Sequence, residues 1–402
     1  MHETLFLLGR EPELSVAELE AVAPQWGATV RAVNAGAVVL IHERPLLEQC
    51  LDRLGGSIKQ ATVLERWPLS SNVVTILIEH LTVEWIQQLF PSQGRIEFGM
   101  SVYGASNAER AAANRHGLQL KKELAASGRA VRLVSSHDPQ LSAVTVQRNG
   151  LLKNGKELVF VKTATEVMVG LTTAVQNYQA YALRDYGRPA ANPASGMLPP
   201  KLAQMMLNIA QVTPDDILLD PFCGSGTILQ EAAMLGVKTI HGSDHQPAAV
   251  KSAKENLRWL LREYPALRTT VEISLHDVRE KTAAPTVIVT EPDLGKPLHG
   301  HESKSFLQRQ ADTLSQLYLT AFQHWQRWLK PGGRVVMVWP EYIGINPPVI
   351  ISLDEQVTNL GFEPQALISE TAAAAWHIAN RHVLTYSRAD ARVQRQIRKW
   401  AL

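Results

Sequence analysis

Cysteine is nearly absent: Cys50 and Cys223 are the only two in 402 residues. They lie far apart, one of them inside a glycine-rich stretch. That excludes a disulfide framework or a thiolate zinc site and points to a reducing compartment. Long apolar runs are also missing, and none approaches the ~20 residues a membrane helix needs. The start, Met1-His2-Glu3, lacks a basic segment followed by a small-residue cleavage site, so no signal peptide is expected and the expected location is cytoplasmic. Neither charge is in excess, because 40 Lys and Arg against 38 Asp and Glu leave a net +2. Any contact with nucleic acid must therefore come from a local patch. What is left, 45% apolar and 19% charged residues, is the composition of a globular chain long enough for two or three domains.

The densest chemical signal runs from Leu218 to Thr227. Apolar Ile217-Leu218-Leu219 precedes Asp220-Pro221-Phe222-Cys223-Gly224-Ser225-Gly226-Thr227, and a helical pattern through Ile228, Leu229, Ala232 and Leu235 follows. This reads as strand, glycine turn and helix. Gly224 and Gly226 let the backbone approach a ligand, and the helix amides face it. About 20 residues on, Gly242-Ser243-Asp244 places an acid at the end of the next strand, suited to both hydroxyls of a ribose. His276-Asp277 at the end of a third strand can accept from an adenine amino group. A glycine turn with a ribose acid fits a dinucleotide or S-adenosylmethionine. There is no G-x-G-x-x-G and no Walker lysine. Asp220 favours S-adenosylmethionine, because a carboxylate is useful beside a cationic methionine end and unwelcome beside a pyrophosphate. The expected cofactor contacts are Asp220, Pro221, Phe222, Gly224, Ser225, Gly226, Thr227, Asp244 with its neighbour His245, and Asp277 with Val278.

A fourth strand, Thr286–Thr290, ends in Glu291-Pro292-Asp293-Leu294-Gly295. An exocyclic amino group is a poor nucleophile because its lone pair is delocalised into the base. A side-chain acceptor and a backbone carbonyl must hold its N–H groups as the methyl arrives. Glu291 and the Pro292 carbonyl are the expected pair, with Asp293 beside them. His299 and His301 lack a third ligand at helical spacing, so no metal site is expected. Cys223 reads as a small buried turn residue.

Along the chain, residues 4–9 read as a strand. Ser15 and Glu18 form a capping box for a helix to about Val22, and Thr29 to Ile41 reads as a hairpin turning at Asn34-Ala35-Gly36. A helix over Leu46–Leu54 and a strand over Ile58–Leu64 complete a ferredoxin-like α+β unit, residues 1–90. A second α+β unit, 91–171, offers strands at Arg95–Tyr103, 131–134, Ser142–Gln147 and Glu157–Thr163, and a helix at Asn107–Ala126 carrying Arg115. Residues 172–200 read as a linker. From 201 to 390 strands and helices alternate, which argues a doubly wound parallel α/β sheet. The basic segment 391–402 reads as a tail, either a solvated terminal helix or a fraying end.

Taken together these motifs resemble a known family. The Asp220-to-Thr227 turn is similar to motif I of class I S-adenosylmethionine-dependent amino-methyltransferases. Arg184-Asp185-Tyr186-Gly187-Arg188-Pro189, with Gly196-Met197-Leu198-Pro199-Pro200-Lys201-Leu202-Ala203, resembles the preceding segment of the THUMP-domain tRNA guanosine-10 N2-methyltransferases. The resemblance implies a Rossmann-like methyltransferase domain with a seven-stranded sheet, preceded by ferredoxin-like and THUMP-like domains that grip tRNA. It implies methyl transfer to the exocyclic N2 of a guanosine, RNA contacts at Arg115, Arg184, Arg188 and Lys201, and a small activator protein as a further partner. The family's Asp-Pro-Pro-Tyr, or Asn-Pro-Pro with an aromatic, is matched here by Glu291-Pro292-Asp293-Leu294. The acid is kept but the stacking ring is lost, at a cost of ~1–3 kcal/mol, and Trp339 or Tyr342 is the candidate replacement. Two alternatives stay open: an RNA-binding protein that holds S-adenosylmethionine without catalysis, and a DNA amino-methyltransferase.

Overall fold

A computed structural model describes residues 1–402 apart from 34, 35, 137, 139, 192–196, 282, 283, 389 and 390. The expected hairpin turn at Asn34-Ala35 and the motif residue Gly196 lie outside the described residues. Contacts divide the chain into two units. The first comprises Met1–Pro12, Ala23–Asp52 and Ser57–Tyr178, and the second Glu13–Val22, Arg53–Gly56 and Gln179–Leu402.

The first unit carries β1 (His2–Leu8), β2 (Ala28–Val33), β3 (Ala37–His42), β4 (Ser57–Pro68), β5 (Ile96–Tyr103), β6 (Val131–Val134), β7 (Lys156–Lys162) and β8 (Glu166–Val175). Between them run α1 (Pro12–Val22), α2 (Val73–His80), α3 (Val83–Gln88), α4 (Asn107–Ala126) and α5 (Ala143–Arg148). All eight strands form one sheet in the order β2-β3-β1-β4-β8-β7-β5-β6, so strands of both expected α+β units are joined where β4 pairs β8. The sheet is covered on both faces, which explains the unbroken apolar run of β7. Leu158 and Phe160 enter one cluster with Phe98 and Leu120, while Val159 and Val161 enter another with Leu5 and Met168. Inside the sheet, buried Lys59 pairs with buried Glu157, which also accepts from Ser101 and Thr172. Residues 142–147 are not the expected strand. The Ser142 hydroxyl accepts from the Thr145 amide and starts α5 instead. The expected helix at Leu46–Leu54 is a 3₁₀ segment, Glu48–Arg53.

The second unit includes most of α1. This helix begins at Pro12, so Ser15 and Glu18 are not its cap. Both are fully buried in its interior. Ser15 donates to the Gly56 carbonyl at 3.1 Å, and Glu18 accepts the Gly55 and Gly56 amides at 2.8 Å each and the Asn208 amide at 2.7 Å. The chain continues through α6 (Tyr178–Tyr186), α7 (Pro200–Ile209), β9 (Ile217–Asp220), α8 (Thr227–Met234), β10 (Thr239–Asp244), α9 (Pro247–Glu263), β11 (Thr270–Leu275), β12 (Val287–Thr290), α10 (Lys304–Trp328) and β13 (Arg334–Tyr342). Then come β14 (Val349–Ile350), α11 (Asp354–Asn359), β15 (Glu363–Gln365), α12 (Glu370–Trp376), β16 (Leu384–Tyr386) and β17 (Val393–Ala401). The main sheet path is β11-β10-β9-β12-β13-β17-β15, with β14 on β13 and β16 on β17. The first five strands are parallel, and β17 runs antiparallel along the whole of β13. The basic tail is therefore a strand inside the sheet, neither a helix nor a frayed end. Its Ile397 and Trp400 are buried in the two cores that flank the sheet. Strand order reverses between β9 and β12, so ligand chemistry is expected at the carboxyl ends of those strands. Among the described residues no helix is long and apolar enough to cross a membrane.

Candidate functional site

A cavity of about 700 Å³ opens at that switch point, lined by the ends of β9, β10, β11 and β12. Asp220 ends β9 and is 2% exposed. Its Oδ1 accepts the Thr290 hydroxyl at 2.7 Å and the Phe222 amide at 3.2 Å. Among the described residues no cation pairs with it. Burial pushes its carboxyl up to about 7, the two hydrogen bonds oppose that, and the charges of Asp244 and Glu291 add to it.

The turn after Asp220 needs its glycines. Gly224 has φ +51° and Gly226 φ +84°, the latter capping α8 in the left-handed region. A Cβ on Gly226 would also sit 3.1–3.3 Å from Leu257 and Ala253 on α9. Asp244 fixes the turn from β10: Oδ2 accepts the Gly224 amide at 3.0 Å and Oδ1 the Gln246 amide at 2.9 Å. Cys223 is buried, and burial with the neighbouring Asp220 and Asp244 pushes its thiol well above the usual range. It is thus unsuited to be a nucleophile.

The structure brings together in this cavity Asp220, Pro221, Phe222, Gly224, Ser225, Thr227, Asp244, His245, Asp277, Val278, Glu291 and Asp293. Gly226 lies behind it at the helix cap and Pro292 is buried. The Asp277 carboxylate is shared with Arg279, whose Nε donates to it at 2.7 Å and holds it below the usual range. Sequence reasoning missed Asn256, a fully buried residue of α9. Its side-chain amide donates to the Ser225 carbonyl at 2.9 Å, and its oxygen accepts the Ala190 amide at 2.9 Å. The only available signal was a polar residue on the apolar stripe of α9.

Two arginines expected at RNA phosphates are turned inward. Arg184 is 4% exposed and pairs with fully buried Glu231 of α8, Nε to Oε1 at 2.6 Å and Nη2 to Oε2 at 3.0 Å. Arg188 is 3% exposed and donates to the Thr227 hydroxyl at 2.7 Å. The segment 184–188 thus braces the start of α8 behind the glycine turn. Lys201 places its ammonium 5.2 Å over the Tyr181 ring. Arg115 is exposed on α4, in the first unit.

The loop after β12 is held by two tyrosines. Tyr318 donates to the Asp293 carbonyl at 2.6 Å and Tyr342 to the Leu294 carbonyl at 2.9 Å. Tyr342 is fully buried, as is Trp339, which packs against Trp400 at 5.3 Å between ring centroids. Neither can replace the missing stacking ring. Glu291 faces the cavity but is tied to Arg395 of β17, Nε to Oε1 at 2.5 Å. Burial raises its carboxyl above the usual range and Arg395 opposes that rise. Among the described residues no cluster of three His, Cys, Asp or Glu could hold a metal ion.

The cavity suits a cationic adenosyl ligand. Asp220, Asp244, Asp277, Glu291 and Asp293 would repel a pyrophosphate, whereas Asp220, buried and with no cation beside it among the described residues, gains from a positive neighbour.

Residues 184–346 match the family model UPF0020, described as an RMKL-like methyltransferase domain. The chain is 32% identical over 165 residues to a tRNA (guanine(10)-N2)-dimethyltransferase of Methanothermobacter thermautotrophicus, covering 40% of this chain and 44% of that protein. It is 26% identical over 184 residues to the bovine tRNA (guanine(6)-N(2))-methyltransferase THUMP3, covering 43% and 33%. The matched region thus spans less than half the length of these curated relatives. Among solved structures, TrmN from Thermus thermophilus superposes with a TM-score of 0.56 at 18% identity, covering 100% of both chains. The second unit has the Rossmann-like class I methyltransferase fold.

Proposed function

We propose that this protein transfers a methyl group from S-adenosylmethionine to the exocyclic N2 of a guanosine in tRNA. The observation that carries the reading is the pairing, in one cavity, of Asp220, buried and without a cation among the described residues, with the acceptor Glu291 at the end of the adjacent β12. When bound, S-adenosylmethionine supplies an electrophilic methyl carbon on a sulfonium. Asp220 and the Gly224–Thr227 turn would hold its methionine end, Asp244 its ribose and Asp277 its adenine. Glu291 and the Pro292 carbonyl accept the two N–H groups of the target amine, which localises the nitrogen lone pair. The proton shed as the N–C bond forms goes to Glu291, whose raised carboxyl suits a general base. The relatives matched above support tRNA as substrate. In this reading residues 1–171 grip RNA, with Arg115 of the first unit among the contacts, and Lys201 of the second unit adds a further one. A small activator protein belongs to the proposal as a partner, tested by whether cell extract raises turnover.

The experiment is tritium transfer from labelled S-adenosylmethionine to unmodified tRNA, beside calorimetric binding of the cofactor. Glu291→Ala should lose turnover by about 100-fold or more with unchanged cofactor affinity. Cofactor binding without transfer by wild type, at high enzyme concentration and with extract added, would favour the second reading, a non-catalytic cofactor-binding protein. The buried Trp339 and Tyr342 motivate that reading, because the loop after β12 gains no stacking ring from them.

A further inference from the structure

Glu291 is held from a strand that the motif region does not contain. Arg395 lies on β17, opposite Pro340 of β13 and Tyr386 of β16. Its side chain is 11% exposed and that of Glu291 15%. Only Glu291 lines the cavity. Oε1 takes the guanidinium bond, and Oε2 accepts no hydrogen bond among the described residues. The charged and titratable groups acting with Glu291 come from every side. Among the described residues they are Arg395 on β17, Arg388 ahead of it, Asp220 at the end of β9 and Tyr318 on α10, and Asp293 lines the same cavity.

A planar guanidinium fixes both the charge and the orientation of its carboxylate partner. Without it, burial and the neighbouring Asp220 would hold the proton on this carboxyl to higher pH. Once protonated, it could donate where it must accept. The distinction matters for base identity. Guanine presents N1–H and N2–H side by side, two donors, whereas adenine presents N6–H beside an N1 acceptor. An ionised carboxylate matches the first edge and opposes the second.

We propose that Arg395 is a positioning residue for the target base: its ion pair holds Glu291 as a carboxylate with Oε2 presented to the donor edge of guanine. This rests on the reading of the cavity as a methyl-transfer site.

The test uses the full chain labelled with glutamate carrying carbon-13 in its side-chain carboxyl. The Glu291 resonance is identified by its loss in Glu291→Gln. Arg395→Gln should raise its titration midpoint by about one pH unit or more, and Arg395→Lys should recover most of the wild-type value. In the transfer assay Arg395→Gln should lose kcat by about tenfold near pH 7, with the loss shrinking as pH rises and cofactor affinity unchanged. An unmoved Glu291 midpoint in Arg395→Gln would overturn the proposal, as would a rate loss equal at every pH. If the midpoint shifts but wild type transfers no methyl group, the methyl-transfer reading fails while the coupling of Arg395 to Glu291 stands.

Discussion

At the residue scale, Asp220 puts a buried carboxyl into the wall of the cavity. Its carboxyl is raised from 3.8 to about 7 by burial. Its contribution to folding stability is therefore present in full below about pH 4 and is lost as pH rises through about 7. A cation bound beside it favours the ionised form, so binding has the opposite trend. Cofactor affinity, measured by calorimetry, should rise between about pH 6 and 8. Asp220→Asn should bind ~10–100-fold more weakly, the loss of a charged hydrogen bond, and should show little pH dependence. Asp220 and Asp244 were legible in the sequence because strand ends next to a glycine turn leave few roles for an acid. Arg395 was not. A basic residue near the end of a chain gives no sign of an ion-pair partner 104 positions earlier.

At the scale of elements, α8 and its glycine turn are braced by side chains that reach them from α6 and α9. Arg184 and Glu231 form a pair 4% and 0% exposed. Breaking one side of such a pair leaves a buried charge, so Arg184→Met should cost about 3–5 kcal/mol in urea unfolding. Arg115→Glu on exposed α4 should change stability by no more than ~0.5 kcal/mol and weaken tRNA binding in a filter or anisotropy assay. The opposite pattern would return the RNA contact to Arg184. The sequence segment 184–189 was correctly singled out, but its arginines were read by charge alone. A guanidinium that meets phosphate and one that meets a buried glutamate look the same until α8 is placed beside it. Likewise Ser15 and Glu18 have capping-box spacing, yet they serve Gly55 and Gly56, because the helix starts a turn earlier at Pro12.

At the scale of the whole molecule, alternating strands and helices made the parallel half of the second sheet readable from periodicity. The closing strand was not readable. Val393–Ala401 carries five polar or charged residues among its nine, and its strand state comes from pairing with β13, a partner more than 50 residues away. Deleting residues 393–402 removes the strand between β13 and β15 and buried Trp400 with it. The truncated chain should lose cooperative unfolding by circular dichroism, whereas a frayed tail would be dispensable. The switch point of this sheet is where methyl transfer to a guanosine is proposed. Wild-type protein is incubated with S-adenosylmethionine and unmodified tRNA, and the digested nucleosides are analysed by mass spectrometry. N2-methylguanosine is the expected product, lost with Glu291→Ala. A methyl group on adenosine, or none on any nucleoside while the cofactor binds, would contradict it.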